Sequence, residues 1–168
     1  MQIIIRRART ADVPAIKALV DIYSGSGRKL LAKELVTLYE DVQEFRVAEI
    51  DGELVGCGAL HVLWSDLGEI RTLAVYPEYR GRHIGAQLLS ALIETAAELG
   101  LRRLFALTFH TAFFERAGFS EIEGTPVDAD TYDALRRSLD PGVAEFLALE
   151  YVKPNTLGNT RMLRLLPN

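Results

Sequence analysis

A strand, a proline turn and a glycine-bearing helix start follow one another in the middle of this chain, and this order constrains the fold more than any other feature. Residues 70–75 form an apolar strand pattern that ends just before Tyr76-Pro77. From Ile84 onward, apolar residues recur at helical spacing on one face, and Gly100 marks the expected end of that helix. The sequence therefore predicts a strand, a short connection and a long amphipathic helix.

The connection, Arg80-Gly81-Arg82-His83-Ile84-Gly85-Ala86, has the chemistry of an anion-binding site. Glycines let a backbone approach a ligand closely, and the first N–H groups of a helix have no partner within it. The helix dipole and the flanking arginines add positive charge at the same place. This combination predicts a site for a pyrophosphate.

The same segment resembles the acetyl-CoA loop of the GNAT superfamily of N-acetyltransferases, whose usual pattern is Arg/Gln-x-x-Gly-x-Gly/Ala. Arg80 and Gly85 fit that pattern, and His83 stands where the first glycine is usual, a position that suits a histidine if its φ is negative. A dinucleotide-binding fold is disfavoured, because there is no Gly-x-Gly-x-x-Gly motif and the preceding strands form no βαβ repeat. The resemblance implies acetyl-CoA as co-substrate. The residues expected to bind it are Leu73, Ala74, Val75, Arg80, Gly81, Arg82, His83, Ile84, Gly85 and Ala86.

The order of the predicted elements, β-α-α-β-β-β-α-β-α-β over Ile3–Glu123, is also that of the GNAT superfamily. Within it, Asp51-Gly52 predicts a β-hairpin, and Phe113–Phe119 is similar to a helix that commonly ends in Gly-Phe in the superfamily. The resemblance implies an α/β (α+β) fold with a mixed central sheet flanked by helices and with strands four and five splayed apart. We expect residues 1–168 to form a single acetyltransferase domain.

The splay matters because it leaves N–H groups of strand four without ladder partners. In the superfamily, the pantetheine arm of acetyl-CoA takes up these donors like an added strand. By resemblance, Leu73, Ala74 and Val75 line that arm here. One of their N–H groups would face the thioester carbonyl and stabilise the oxyanion of the tetrahedral intermediate.

Composition narrows the partners and the setting. A formal net charge of −4 argues against nucleic acid as a partner. Cys57 is the only cysteine, so no internal disulfide can form and a reducing cytoplasm is the expected location. We expect no membrane association, because no apolar stretch approaches the roughly 20 residues that span a bilayer. We expect no metal, because no cluster of histidine, cysteine and carboxylate side chains has ligand spacing.

Outside the shared core, the chain looks like the acetyltransferase domain of the N-acetylglutamate synthases. The similar segments are Arg28–Lys33, Gly68–Val75, and Leu104–Thr108 followed by Phe113-Phe114. This likeness implies acetyl transfer to the α-amine of L-glutamate, the first step of arginine biosynthesis, by a stand-alone form lacking the amino-acid-kinase domain of many relatives. The two carboxylates of glutamate require cationic partners. The residues expected to bind the substrate are Leu30, Lys33, Arg71, Thr72, Thr160 and Arg161.

Two departures from the synthase pattern keep other acceptors open. Gly158-x-Thr160 stands where the better-known synthases have Arg-x-Ser, and Ala32 replaces a substrate-binding arginine beside Lys33. The alternatives are acetylation of another amine, such as glutamine, another amino acid, a polyamine or a protein lysine, and a non-catalytic acetyl-CoA-binding module. The family also implies a possible homodimer.

Glu69 is the candidate general base. An α-ammonium must lose a proton before it attacks a thioester, and Glu69 matches a family position often used for this step. The competing interpretation is a surface glutamate at a strand end that pairs with an arginine. Strand alternation places Arg71 on the same face unless a bulge intervenes. Phe114 stands where many relatives have a tyrosine that protonates the thiolate, so the general acid stays unassigned, and His110 is a second candidate base.

Overall fold

The computed structural model describes residues 1–24, 33–150 and 158–167 of the chain. The strands are β1 (Ile3–Arg7), β2 (Phe45–Ile50), β3 (Glu53–Trp64), β4 (Leu67–Val75), β5 (Arg103–Thr108), β6 (Ser120–Glu121) and β7 (Thr160–Leu165). The helices are α1 (Val13–Ser24), α2 (Leu35–Glu40), α3 (Ile84–Leu99), α4 (Thr111–Arg116), α5 (Ala129–Leu135) and α6 (Pro141–Phe146). Short 3₁₀ turns lie at Thr10–Asp12, Val42–Glu44 and Pro77–Tyr79.

The strands form a seven-stranded mixed sheet in the order β1-β2-β3-β4-β5-β7-β6. The predicted hairpin between β2 and β3 is confirmed, because Asp51 and Gly52 both have positive φ values of 51° and 82°. Positive φ at both central residues is the geometry of a type I′ turn, whose twist matches that of the flanking strands. The pairing of β4 with β5 is parallel, while β5 pairs with β7 in the antiparallel sense.

The expected splay of strands four and five is visible in their register. Leu67 pairs with Arg103, Gly68 with Leu104 and Glu69 with Phe105. The ladder ends there, although β4 continues to Val75. The second half of β4 therefore runs on beyond its pairing with β5.

The chain divides into two compact units, of which the first comprises Met1–His61 and Ile70–Leu99. Its core joins the apolar face of α1 (Val13, Ile16, Leu19, Val20) to inward residues of β2 and β3, among them Val47 and Cys57. A second cluster packs Ile84 and Leu88 of α3 against Ala48, Ile50 and Val55. This unit thereby fixes the first turn of α3 on the sheet, because Ile84 is only 2% exposed.

The second unit comprises Val62–Glu69 and Gly100–Asn168. Its core centres on Phe105 of β5 and Phe146 of α6, whose rings meet edge to face at 4.9 Å. The side chains of Asp128 and Asp140 cap α5 and α6 by accepting backbone N–H bonds from Thr131 and Val143. The sequence pattern did not predict these two helices.

The sequence also predicts Thr10 as the N-cap of the first helix, and a second helix marked by Leu31, Leu35, Leu38 and Val42. Both predictions are wrong in their bounds. Thr10 does not cap α1; instead it begins a 3₁₀ turn in which the Asp12 carboxylate accepts the Arg9 N–H at 2.7 Å, and α1 starts at Val13. The second helix does not reach Val42, because it ends at Glu40 and a 3₁₀ turn follows. Its expected first apolar position, Leu31, lies outside the described residues.

Candidate active site

The predicted cofactor loop connects β4 to α3 within the first unit. Pro77–Tyr79 forms its 3₁₀ turn, and Gly81 follows with a φ of 79°. A Cβ added at Gly81 would meet no atom within 4 Å, so glycine is required by the backbone angle rather than by space. Arg80, Gly81, Arg82 and His83 are all exposed. The loop therefore presents its backbone and both guanidinium groups to solvent.

His83 does not have the negative φ with which a histidine was expected to suit this position. Its φ is 60°, which is left-handed rather than negative. Its carbonyl oxygen accepts the Gln87 N–H at 3.1 Å, so this strained residue is held at the start of α3. A positive φ at this position explains why a glycine is usual here in the superfamily. In this chain a histidine adopts the same positive φ.

Aromatic side chains orient the two arginines of the loop. The Arg82 guanidinium lies 5.1 Å from the centre of the Tyr79 ring. The Arg80 guanidinium lies 5.9 Å from the Tyr23 ring, and its Nη2 donates to the Tyr23 hydroxyl at 3.1 Å. These contacts hold both cations on the loop while leaving them exposed to an anion.

The second half of β4 has a break in its regular geometry at Thr72, whose φ is 57°. The Thr72 carbonyl accepts the Cys57 thiol of β3 at 3.4 Å, and the Tyr76 N–H donates to Val55. Burial raises the pKa of the Cys57 thiol to about 12, against a lowering contribution from a hydrogen bond with the Ala74 backbone. Cys57 is therefore a core residue with no nucleophilic role.

These contacts bear on which backbone groups of β4 face β3 and which face the opposite edge of the strand. Ala74 faces β3, because its carbonyl would lie 3.2 Å from a Cβ at Gly56 and its backbone bonds Cys57. Alternation along a strand turns the N–H groups of Leu73 and Val75 to the opposite edge. The sequence could not separate the three predicted pantetheine contacts; alternation from Ala74 favours the N–H groups of Leu73 and Val75 over that of Ala74.

Glu69 lies in the second unit and is only 4% exposed. Its backbone pairs with that of Phe105 in β5. The alternative of an exposed surface glutamate is therefore wrong, because the side chain is buried in a paired part of the sheet. Arg71, two residues further along β4, is half-buried.

Arg161 is engaged by backbone carbonyls of its own unit. Its guanidinium donates to Gly124 at 2.9 Å, to Glu145 at 3.3 Å and to Phe146, and it lies 4.9 Å from the centre of the Phe105 ring. Burial lowers the pKa of Arg161, and the negative charge of Glu69 acts in the opposite direction. Three of the five N–H donors of Arg161 thus link β7 to the end of α6 and to the chain at Gly124, which follows β6. Its binding of a substrate carboxylate stays a prediction.

The remaining predicted substrate residues are placed as follows. Lys33 is half-buried just before α2, and Thr72 is buried in β4. Thr160 begins β7 and pairs with Thr108. Leu30 lies outside the described residues.

Phe114 is buried in a group of three phenylalanines in the second unit. Its ring meets those of Phe113 and Phe119 edge to face at 5.2 and 5.1 Å. It thus contributes to packing at the position where the superfamily resemblance implies a tyrosine in many relatives. His110, the other candidate base, precedes α4, and its backbone N–H donates to the Thr108 hydroxyl at 2.8 Å.

Other features of the described residues lie outside the predicted site. A cavity of about 590 Å³ in the second unit is lined by Trp64, Ser65, Asp66, Arg103, Thr125, Pro126, Val127, Asp128 and Thr131. None of these is a predicted site residue. Among the described residues, no group of three or more histidine, cysteine or carboxylate side chains is arranged to hold a metal, and no helix is both long and apolar enough to cross a membrane.

Comparisons of this chain with family profiles, known sequences and solved structures agree with one another. The sequence profile described as the acetyltransferase (GNAT) family matches residues 16–119. An amino-acid acetyltransferase from Mycobacterium tuberculosis is 62% identical over 166 residues, which are 97% of this chain and 94% of that protein. A crystal structure of a Mycobacterium tuberculosis protein in complex with CoA and NLQ has a TM-score of 0.95 and 62% identity, covering 98% of this chain and 99% of that one.

N-acetylglutamate synthase from Neisseria gonorrhoeae, complexed with coenzyme A and N-acetyl-glutamate, is a more distant likeness. It has a TM-score of 0.78 and 28% identity. The match covers 100% of this chain and 36% of that one, so this chain spans about a third of the synthase.

Proposed function

Because the chain belongs to the acetyltransferase (GNAT) family, we propose that it transfers the acetyl group of acetyl-CoA to the α-amine of L-glutamate. It is an acetyl-CoA-dependent amino-acid N-acetyltransferase. The observation that carries the choice of glutamate is the likeness, across the whole chain, to a synthase that binds coenzyme A and N-acetyl-glutamate.

The residues of the first unit fit the co-substrate. Arg80, Arg82 and the N–H groups at the start of α3 would hold the pyrophosphate, because exposed guanidinium groups and the first N–H groups of a helix both favour an anion. The N–H groups of Leu73 and Val75, which alternation along β4 would direct away from β3, would receive the pantetheine arm and the thioester carbonyl. Ile84, Gly85 and Ala86 form the first turn of α3.

Glu69 would remove the proton from the α-ammonium of the acceptor. Its burial keeps competing solvent away from the carboxylate, and its position on β4 puts it on the same strand as the thioester-binding N–H groups. The neutral amine then attacks the thioester carbon, forming a C–N bond. As the C–S bond breaks, the nitrogen loses its second proton and the departing thiolate takes up one proton, so the step balances; a thiol of pKa about 8.5 needs no strong acid for this.

The glutamate carboxylates would be held by cationic groups. Lys33 and Arg71 are described and half-buried, and they are the first candidates. Arg161 would contribute through donors beyond those that bind Gly124, Glu145 and Phe146. Thr72, Thr160 and Leu30 complete the proposed substrate set.

Three further features belong to the proposal. We place the enzyme in the cytoplasm, since its single cysteine is buried and unlinked, as suits a reducing compartment. We also propose that the chain acts as one catalytic domain and that it forms a homodimer, as the family resemblance implies. Size-exclusion chromatography with light scattering tests the dimer.

The decisive experiment follows thiol release from acetyl-CoA with each of the twenty amino acids, several polyamines and a lysine peptide. The proposal expects glutamate to give a kcat/KM at least about tenfold above that of every other acceptor, because two carboxylates meet dedicated cations. Mass spectrometry of the product should show acetylation at the α-nitrogen. A preference for glutamine would contradict the choice of glutamate but would still support acetyl transfer to the α-amine of an amino acid. Activity confined to polyamines or lysine peptides would overturn the whole assignment.

A further inference from the structure

Tyr23, in the last turn of α1, contacts both the end of β4 and the loop that carries Arg80, the two parts of the first unit that would bind acetyl-CoA under the proposed function. Its hydroxyl donates to the Val75 carbonyl at the end of β4. The same oxygen accepts the Arg80 guanidinium at 3.1 Å, and Arg80 also lies over the tyrosine ring. Nothing in the sequence pattern pointed to this role, because Tyr23 reads only as one more residue in an amphipathic helix.

We propose that Tyr23 is a positioning residue for acetyl-CoA, which fixes the Arg80 guanidinium and the end of β4 in one arrangement. This inference rests on the proposed function of Arg80 and of β4. An exposed arginine has several accessible rotamers, and a ligand that orders it must supply that lost entropy. The hydroxyl and ring of Tyr23 supply this order before the ligand arrives.

The strand end is held from both sides. The Tyr76 N–H donates to Val55 of β3, and Tyr23 engages the neighbouring Val75 carbonyl from α1. Residues 75 and 76 therefore have little freedom to shift, and the Val75 N–H keeps the direction in which the pantetheine arm would meet it. Preorganised backbone donors cost no reorganisation when the ligand binds.

Tyr23 is not a candidate for the missing general acid. A tyrosine hydroxyl has a single proton to donate, and the Val75 carbonyl accepts it here. Its effect should therefore appear in the binding of the co-substrate and leave the chemical step unchanged.

The test compares Tyr23→Phe with a matched control, Tyr132→Phe. Both changes remove one hydroxyl that donates to a backbone carbonyl, since Tyr132 donates to Leu147 at 3.2 Å in the second unit. Tyr23→Phe should raise the Kd for CoA, measured by titration calorimetry, and the KM for acetyl-CoA by about three- to tenfold. The kcat and the KM for the amino acid should stay within about twofold, and Tyr132→Phe should move none of these values by more than about twofold.

A double-mutant cycle with Arg80→Met separates positioning from general stability. If Tyr23 acts through Arg80, then Tyr23→Phe should have a smaller effect on the Kd for CoA in the Arg80→Met background than in the wild type. Equal effects in both backgrounds would leave only the Val75 contact and would overturn the proposed arrangement. Thermal unfolding of all variants checks that each one is folded.

Two other outcomes overturn the inference while leaving the proposed function intact. An unchanged Kd would show that Tyr23 does not prepare the site, and a tighter Kd would show that its hydroxyl occupies a place the ligand must take. Wild-type protein that binds CoA but acetylates no amino acid contradicts the proposed function, and the Kd comparison still decides the role of Tyr23. Wild-type protein that does not bind CoA overturns both.

Discussion

At the scale of single residues, the buried Glu69 carboxylate offers the most direct test of the chemistry. Glu69→Gln keeps the shape of the side chain and removes its basicity, so kcat at pH 7 should fall by about 100-fold. Part of that loss should return above pH 9, where solvent supplies more of the free amine. Steady-state rates from pH 6 to pH 10 measure both effects. Glu53→Gln, at the exposed start of β3, is the control and should retain wild-type rates. An unchanged rate and pH profile in Glu69→Gln would assign the base elsewhere.

His83 allows a second test at this scale, because it adopts a left-handed φ of 60° without being glycine. His83→Gly should raise the free energy of unfolding by about 0.5–1 kcal/mol, since the relief of strain exceeds the greater entropy of glycine in the unfolded chain. Urea denaturation measures the change. His83→Ala is the control, because alanine keeps the strained angle and should bring no gain. A gain with alanine equal to that with glycine would mean that the imidazole, and not the backbone, is the source of the cost.

At the scale of elements, an ion pair ties β1 to the 3₁₀ turn that precedes α1. Arg6 donates two hydrogen bonds to the Asp12 carboxylate, at 2.8 and 2.9 Å, and a third to Glu49 of β2. The hydrogen bond from Arg6 holds the pKa of Asp12 below its ordinary value of 3.8, with burial opposing it and the Arg9 N–H adding to it. The folded state therefore favours the ionised carboxylate. Its stabilisation is complete above the unfolded pKa and is lost as the pH falls through the lower folded pKa.

Asp12→Asn should consequently lower the free energy of unfolding by about 2 kcal/mol at pH 7. The difference from wild type should shrink as the pH falls below the unfolded pKa of 3.8, because the carboxyl is then protonated first in the unfolded chain and, at the lower folded pKa, in the folded protein as well. Urea unfolding at pH 7, 4 and 3 gives the comparison. Asp21→Asn is the matched control, since Asp21 forms an exposed helical pair with Lys17 that should contribute only about 0.3–0.5 kcal/mol. A pH-independent loss in Asp12→Asn would indicate a packing effect instead of an ionic one.

Some secondary-structure elements could be predicted from the sequence alone, and others could not. The Asp51-Gly52 hairpin and the helix from Ile84 to Leu99 were predictable, because a turn dipeptide and a sixteen-residue periodic pattern are strong local signals. Helices α5 and α6 were missed, since seven and six residues are too few to show a period. Their capping residues, Asp128 and Asp140, were the available signals. A glycine at position 83 would have signalled the positive φ, but a histidine does not. The carbonyl contacts of Arg161 join segments that are distant in sequence, so no local pattern predicts them.

At the scale of the whole molecule, a net charge of −4 opposes the binding of an anionic co-substrate. Binding must therefore depend on short-range attraction by the cofactor loop, where Arg80 and Arg82 are exposed beside the first turn of α3. Salt screens exposed charges over about 8 Å at physiological ionic strength, and it screens long-range repulsion and local attraction alike. The salt dependence of binding thus reports which of the two dominates.

If the loop dominates, the KM for acetyl-CoA should rise about three- to tenfold between about 50 and about 500 mM KCl, while the kcat changes little. The double variant Arg80→Gln/Arg82→Gln should start from a higher KM and depend much less on salt, because the attraction that salt screens has been removed. Lys17→Gln, which removes one positive charge from α1 outside the loop, is the control and should keep the wild-type slope. A KM that falls as salt rises would mean that the net negative charge governs the encounter, and the pyrophosphate assignment of the loop would then lose its electrostatic basis.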